Sequence, residues 1–423
     1  MSDPPLVTLA DVRAAAARLR GVAVRTPMLH SRYWSESTGA DVNLKAECLQ
    51  RTGSFKVRGA ANVIAQLSPA ERARGVIAAS AGNHAQGVAV ASREAGIACT
   101  VVMPQTAALA KVEATRGYGA TVIQAGHTFA EAADIMQRIA AEKGLTVVPP
   151  FDDPRIIAGQ GTLGVEIAQE VPDVDLVLVP VGGGGLISGV AVAVKALAPR
   201  ARVVGVQAAA VPGMLESFEG GTVATAHQHE TIADGIAVAT PGTVTLTHVL
   251  RLVDEIITVD EESITQAMVA LLERSKLVVE GAGAVGIAAL ACGAVRPKGG
   301  RVVVVLSGGN VDLNLLGRIV EHGLAHAGRY LAIRVLIADR PGQLARVLTV
   351  IGEAGANLLD VEHRRTGPQL SFGSVEVELL METRNPEHAS AVARALKEAG
   401  YHPVPGFERR SRVRTFAADD RGG

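Results

Sequence analysis

Nine short runs of mostly Val, Ile, Leu and Ala recur along the first two thirds of the chain, each followed by an alanine-rich stretch. The runs are VNLKAE, VIAAS, CTVVMP, TVIQAG, LTVVPP, LVLVPV, VVGVQA, IITVD and VVVVLS, the last ending at Ser307. This alternation constrains the fold more than any other feature. Most runs are near-continuously apolar, the pattern of strands covered on both faces of a parallel sheet. Strand–helix alternation of this length predicts an α/β architecture with ligands at the carboxyl ends of strands. So many strands exceed one core, so two lobes are expected. Thr8 opens the first helix, with Asp11 in capping-box position ahead of VRAAAARL.

The texture changes near Leu331. A strand, a turn at Pro341-Gly342, and an amphipathic helix with Leu344, Val347, Leu348 and Ile351 on one face come first. A second strand, an alternating strand SVEVELLME, a helix opened by Pro386 and a short fourth strand follow. The order βαββαβ describes a ferredoxin-like unit over 330–407. The charged tail 408–423 is expected to fray.

Composition narrows the function. Among 423 residues, 41 basic against 42 acidic leave a net charge of -1, so no basic surface for nucleic acid is expected. Aromatics, at 3%, are too few for a stacking platform. Cys48, Cys99 and Cys292 are widely separated, show no zinc spacing and fit a reducing cytosol. The start MSDPPLVTLADVR lacks a secretory pattern, which makes a cytoplasmic location the expectation. Leu176–Val194 is uncharged and long enough to span a bilayer. It contains Pro180 and five glycines, however, and divides into strand, glycine loop and helix, so no membrane span is expected.

Four strand-end segments can carry chemistry. Gly53-Ser54-Phe55-Lys56-Val57-Arg58-Gly59 sets a lysine between glycines at a helix opening. A lysine desolvated in such a cleft loses its proton and becomes a nucleophile. Ser80-Ala81-Gly82-Asn83-His84 enters a helix with small residues, a cradle for a carboxylate or phosphate. An ordinary turn capped by Asn83 is the alternative, and His84 alone reads as structural. Gly182-Gly183-Gly184-Gly185-Leu186 sits between strand and helix in an apolar context, where bare N–H groups suit a phosphate. Ser307-Gly308-Gly309-Asn310 ends the most hydrophobic run, where Ser307 caps a helix or holds a ligand atom. Gly281 to Gly286 matches a dinucleotide fingerprint, but a helix leads into it and no acidic residue ends the next strand. It reads as a glycine-packed helix start bordering the site.

SFKVRGA, SAGNHAQG, the tetraglycine loop, TIADGIAV and LSGGN, in this order and spacing, resemble the fold-type-II pyridoxal-5′-phosphate enzymes, specifically their threonine dehydratase (threonine ammonia-lyase) branch. The likeness covers about residues 5–325. The segment from Tyr330 to Arg365, with DRPGQL and GANLLDVEH, is similar to an ACT amino-acid-sensing domain. The resemblance implies a two-lobed catalytic domain over 1–325, with a small lobe near 54–150 inserted in the large one, and an ACT-like regulatory domain over 330–407.

By that resemblance Lys56 would bind the cofactor covalently and take the substrate α-proton. Phe55 would lie against the ring, Asn83 would contact its hydroxyl, and Ser307 would face its nitrogen. Gly182 to Gly185 and Leu186 would hold the phosphate. The loop Ser80, Ala81, Gly82, Asn83 and His84 would hold the substrate carboxylate. The implied reaction turns L-threonine into 2-oxobutanoate and ammonia, and L-serine into pyruvate. A serine or 3-hydroxyaspartate dehydratase is the alternative. Serine racemases carry a second serine where this chain has Ala81, which argues against racemisation. Gln207 stands where relatives place an acidic cation ligand, so no metal is expected. Asp339, Gly342, Gln343, Leu344 and Asn357 would lie near a branched-chain amino-acid effector between two ACT-like domains, which implies a homo-oligomer, dimer or tetramer. A nicotinamide oxidoreductase, resting on the fingerprint alone, and a catalytically idle sensor protein are the rivals from other classes.

Overall fold

The structure, a computed structural model, describes residues 5–365 and 372–405. The chain divides into two compact units, Met1–Leu315 and Leu316–Gly423, with the break inside the helix Leu313–His326. The tail 408–423 lies outside the described residues.

Each apolar run forms a strand. In the first unit β1 (Met28–His30), β2 (Asp41–Ala46), β3 (Val76–Ala79), β4 (Cys99–Met103), β5 (Thr121–Gln124) and β6 (Thr146–Val147) come first. Then follow β7 (Leu176–Pro180), β8 (Arg202–Ala208), β9 (Glu255–Val259) and β10 (Arg301–Leu306). They form two sheets, as the strand count requires. The larger has the order β1-β2-β10-β7-β8-β9 and is parallel except for the β1–β2 pair; the smaller, β5-β4-β3-β6, is wholly parallel. β1 is the strand the apolar pattern does not announce. Three residues, only half-buried, leave no pattern to read. The capping box at Thr8 forms as expected, with the Thr8 and Asp11 side chains each bonded to the other's backbone. Leu176–Val194 becomes β7, a glycine loop and the helix Gly185–Leu197. No helix among the described residues is long and apolar enough to cross a membrane.

Glycine lets the helices of this unit approach closely. A Cβ at Gly159 would meet the backbone of Arg58 and Gly59 at 2.7 Å, where the helices Lys56–Ile64 and Pro154–Glu170 cross. A Cβ at Gly87 would meet the Lys56 carbonyl carbon at 3.0 Å, so the helix Asn83–Glu94 packs directly on the backbone of the lysine.

A buried ionic cluster fixes the same region. The Arg58 guanidinium, 2% exposed, donates to both carboxylate oxygens of Glu47 at 2.8 Å, and to Glu166 at 2.6 and 3.1 Å. Lys45 Nζ lies 2.9 Å from Glu166 and 3.0 Å from Glu170. Burial works to raise the Glu47 carboxyl, but Arg58, with Thr26 and Lys45, holds it below its ordinary value.

The second unit is the expected βαββαβ arrangement. β11 (Tyr330–Ala338), β12 (Asn357–Arg364), β13 (Ser374–Glu382) and β14 (Val404–Pro405) pair antiparallel in the order β12-β13-β11-β14. The inward residues Ile333, Val335, Ile337, Val375, Val377, Leu379 and Met381 pack on Val347 and Ile351 of the helix Gln343–Glu353 and on Val392 and Leu396 of the helix Pro386–Glu398. The alternation read in SVEVELLME is this face.

Candidate active site

The carboxyl end of β10 and the loop before Lys56 are zipped together. Ser54 and Gly308 form an antiparallel bridge. Phe55 N–H donates to the Ser307 carbonyl at 3.1 Å, and Gly309 N–H donates to the Gly53 carbonyl at 2.9 Å. Lys56 is the first residue of its helix, and its Nζ donates to the Pro150 carbonyl at 3.1 Å. Burial pushes this amine down to about 8, against the opposing pull of Glu280. At pH 7 about a tenth is therefore unprotonated, far more than for an exposed lysine, which favours a nucleophile or base.

Asn83 reaches the same place from the loop after β3 of the smaller sheet. It is the first helical residue, and Gly82, not Asn83, holds the cap position. Its side chain is thus free for the site: Nδ2 donates to Glu280 Oε1 at 2.7 Å, and Oδ1 accepts from Asn310 Nδ2 at 2.7 Å. Upstream, the Ser80 hydroxyl accepts from Gly82 N–H at 3.1 Å and shapes the loop around Ala81. His84 is structural, as its sequence context indicates. Its Nε2–H donates to the Val148 carbonyl at 2.9 Å, and burial drives its pKa down to about 3.

The tetraglycine loop follows β7, and the neighbours of its backbone explain each glycine. A Cβ at Gly182 would meet Ile236 Cα at 2.9 Å, and one at Gly185 would meet Phe151 Cβ at 3.0 Å. One at Gly183 would enter the Phe151 ring. Gly184, at φ 93°, has Met214 Cε at 2.6 Å and Thr245 Cβ at 2.9 Å from its Cβ position. Gly184 caps the helix without a side chain, so its first-turn N–H groups have no intrahelical acceptor. Leu186 is buried in the second position of that helix.

Three contributors escape the motif reading. Glu280 lies buried between Asn83 and Gly308, and its N–H donates to the Gly308 carbonyl at 3.0 Å. Its trace in the sequence is one charge inside the apolar run LVVEGAGAVGIAAL. Thr245 braces the glycine loop, its Oγ1 donating to the Gly183 carbonyl at 2.7 Å. Phe151 floors that loop. The apparent dinucleotide fingerprint is the helix Gly281–Ala291, where Gly283 lets Gly308 O approach its Cβ position at 2.7 Å. Ser307 caps no helix, since the next begins at Leu313. Gln207 is buried on β8, where its Oε1 accepts from Leu215 N–H at 3.1 Å.

A lysine, an anion-ready glycine loop and a serine thus meet at the carboxyl ends of parallel strands. The chain matches the family model described as pyridoxal-phosphate dependent enzyme over residues 19–308. The chain belongs to that family. Residues 332–400 match the ACT domain model. An L-threonine ammonia-lyase of Thermotoga maritima is 47% identical over 396 residues, covering 94% of this chain and 98% of the relative. Among solved structures, the processed threonine deaminase isoform 2 of Solanum lycopersicum aligns with TM-score 0.72 and 36% identity, covering 76% of this chain and 91% of that one. Maize serine racemase aligns with TM-score 0.72 and 34% identity, covering 76% and 99%.

The residues present fit pyridoxal phosphate. The Lys56 amine is buried and its pKa lowered, the uncapped helix start at Gly184 suits a phosphate, and the Ser54 hydroxyl, two residues before Lys56, is buried without a hydrogen-bond partner.

The ACT unit carries the other expected residues at two places. Asp339, Gly342, Gln343 and Leu344 lie at the turn from β11 into its helix, with Gly342 at φ 81° as the cap. Asn357 starts β12 and is paired with Glu382, whereas Ala338, next to Asp339, is paired with Ser374. Within one copy the two places are at opposite ends of the sheet.

Proposed function

We propose that this pyridoxal-phosphate-dependent ammonia-lyase eliminates water from L-threonine to give 2-oxobutanoate and ammonia, and also accepts L-serine. The observation that carries this reading is the junction of Lys56 with the Ser307 strand end beside the Ser80–His84 loop. The printed names of the ammonia-lyase and deaminase relatives support threonine as the substrate.

When bound, the cofactor supplies an electron sink for negative charge at the substrate α-carbon. Lys56 would hold it covalently, Phe55 and Asn83 would contact its ring, and Gly182 to Leu186 would hold its phosphate. Ser307 would face the ring nitrogen. Its neutral hydroxyl does not hold that nitrogen protonated as a carboxylate does, and this favours loss of a β-substituent over transamination. The Ser80–His84 loop orients the substrate carboxylate with backbone N–H groups at the start of its helix. Once the substrate amine has displaced it from the cofactor, the freed Lys56 amine would take the α-proton. The β-hydroxyl would leave as water with a proton equivalent to the one removed, and the released enamine would add water and hydrolyse to the 2-oxo acid and ammonia.

The likeness to a serine racemase favours serine as a second substrate, while Ala81 supplies no hydroxyl for a base on the opposite face. Methyl discrimination in a pocket is worth only about 1–3 kcal/mol, so both substrates are expected to turn over. Steady-state 2-oxo acid release compared across L-threonine, L-serine and 3-hydroxyaspartate tests the assignment; a clear preference for 3-hydroxyaspartate would overturn it. Lys56→Ala is expected to lose both the visible absorbance of the bound cofactor and all 2-oxo acid release. The ACT unit is proposed to bind a branched-chain amino-acid effector in a homo-oligomer.

A further inference from the structure

We propose that Glu280 is a positioning residue which, with Asn310, locks the Asn83 side-chain amide so that Asn83 presents an N–H donor to the bound cofactor. This rests on the reading of Asn83 as the contact to the cofactor's ring hydroxyl.

Glu280 occupies the cap position of the helix Gly281–Ala291 but makes no side-chain bond to it. Its carboxyl turns instead to Asn83, and it is 5% exposed with no ion pair among the described residues. A buried carboxyl without a cation partner is costly, so its retention here requires a reason. The backbone is shaped around it. A Cβ at Gly308 would fall inside contact distance of Glu280 Oε1, and one at Gly235 would sit 3.6 Å from the same oxygen. Gly308 has no room for a side chain while Glu280 keeps this placement, whereas the approach at Gly235 is ordinary contact.

The amide of Asn83 is held at both ends. Nδ2 donates to Glu280 Oε1 at 2.7 Å and Oδ1 accepts from Asn310 Nδ2 at 2.7 Å. Turning the amide over would set Nδ2 against the Asn310 donor and Oδ1 against the Glu280 carboxyl, replacing two bonds with two like-polarity contacts. Asn310 is itself anchored, because its Nδ2 also donates to the Thr52 carbonyl at 2.5 Å. Asn83 Nδ2 carries two hydrogens and spends one on Glu280. The second is left to donate to an oxygen of a bound ligand, and a charged oxygen accepts it best.

The charged and titratable groups facing Glu280 are Asp234 from the turn Asp234–Ile236, Lys111 from the helix Leu109–Gly117, Lys56, and Cys48 from the turn Glu47–Leu49. Burial first, and then Asp234, push the Glu280 carboxyl up to about 7, against the Asn83 bond and the two lysines. The acceptor that orients Asn83 therefore changes charge near neutral pH.

The test uses the full-length holoenzyme and its apoenzyme titrated with pyridoxal phosphate. Two quantities are read: the cofactor dissociation constant, and the pH midpoint of the bound cofactor's visible absorbance. Glu280→Ala is expected to weaken cofactor binding about tenfold and to move that midpoint by about one pH unit. In an Asn83→Ala background the same substitution should leave the dissociation constant unchanged and move the midpoint less, because only the direct pull of Glu280 on Lys56 remains. Wild-type values in Glu280→Ala, or effects undiminished in the Asn83→Ala background, would overturn the proposal. If Asn83→Ala alone leaves both readouts at wild type, the reading of Asn83 itself fails, and the inference with it. Should Glu280→Ala fail to fold, Asn310→Ala carries the test from the other end of the amide: changes of the same sign support the lock, and wild-type values refute it.

Discussion

Ser54 and Gly308 form an isolated antiparallel bridge that joins the loop before Lys56 to the end of β10. The position of the reactive amine is thereby tied to the strand that carries Ser307, and the bridge tolerates little change. A Cβ at Gly308 would collide with Glu280 Oε1 and come within 3.2 Å of Asn83 Nδ2. Gly308→Ala is therefore expected to lower kcat/KM for threonine by about tenfold or more and to weaken cofactor binding. Gly220→Ala, at an open position with nothing within 4 Å of its Cβ, should match wild type. Steady-state 2-oxo acid release on both variants checks this, and equal rates would show that the bridge is not the constraint.

Burial of Lys56 has a thermodynamic consequence for the cofactor-free protein. The folded-state value of about 8 lies below that of an exposed lysine, so between these limits the folded protein binds fewer protons than the unfolded one. The cost of burying the charged amine is full below pH 8 and fades as pH rises above it. The Lys56→Met apoenzyme should therefore be more stable than wild-type apoenzyme at pH 7, by on the order of 2–3 kcal/mol. The gap should narrow toward pH 10. Urea unfolding at the two pH values measures it, and a gap that widens with pH would contradict the argument.

At the cluster around Arg58 the lowered group is an acid, so its shift stabilises the fold where that of Lys56 costs. The Glu47 carboxyl is held below its ordinary value, so its contribution is present above the unfolded-state pKa and is lost as pH falls through the folded-state one. Arg58→Met strands the buried Glu47 without its guanidinium, while the half-buried Glu166 keeps Lys45, and should cost about 3–5 kcal/mol at pH 7. The deficit should shrink in acid, where the stranded Glu47 carboxyl protonates. Denaturant midpoints at pH 7 and pH 4.5 distinguish this from a packing defect, which would leave the deficit constant.

Much of this arrangement is legible in the sequence because buried parallel strands need continuous apolar runs and a bare-backbone anion cradle needs glycine. Val302 to Leu306 and Gly182 to Gly185 therefore announce themselves. Glu280 does not, because next to Gly281 a carboxylate reads as an ordinary helix cap; only the fold turns it toward Asn83, 197 residues earlier. Thr245 and Phe151 stay hidden for a related reason: they matter through contact with glycines distant in sequence. Arg58 is visible in SFKVRGA, but its partners are set by helix packing that no local pattern encodes. Asp152 likewise accepts from the N–H groups of Thr243, Val244 and Thr245, capping a helix some ninety residues on.

In the ACT unit, Asp339 and Asn357 lie at opposite ends of one sheet. The pairing of Ala338 with Ser374 and of Asn357 with Glu382 separates them by about eight strand residues, roughly 25 Å. One small amino acid cannot touch both within a single copy, so a shared effector site needs two copies of the unit. Isothermal titration of the full-length protein with isoleucine or valine should show binding that Asp339→Ala and Asn357→Ala each weaken. Hybrids of the two variants should recover binding that neither has alone, because one of their two composite sites carries both native residues. Hybrids without binding, from variants that each abolish it, would place the effector elsewhere; loss in only one variant would confine the site to one end of the sheet.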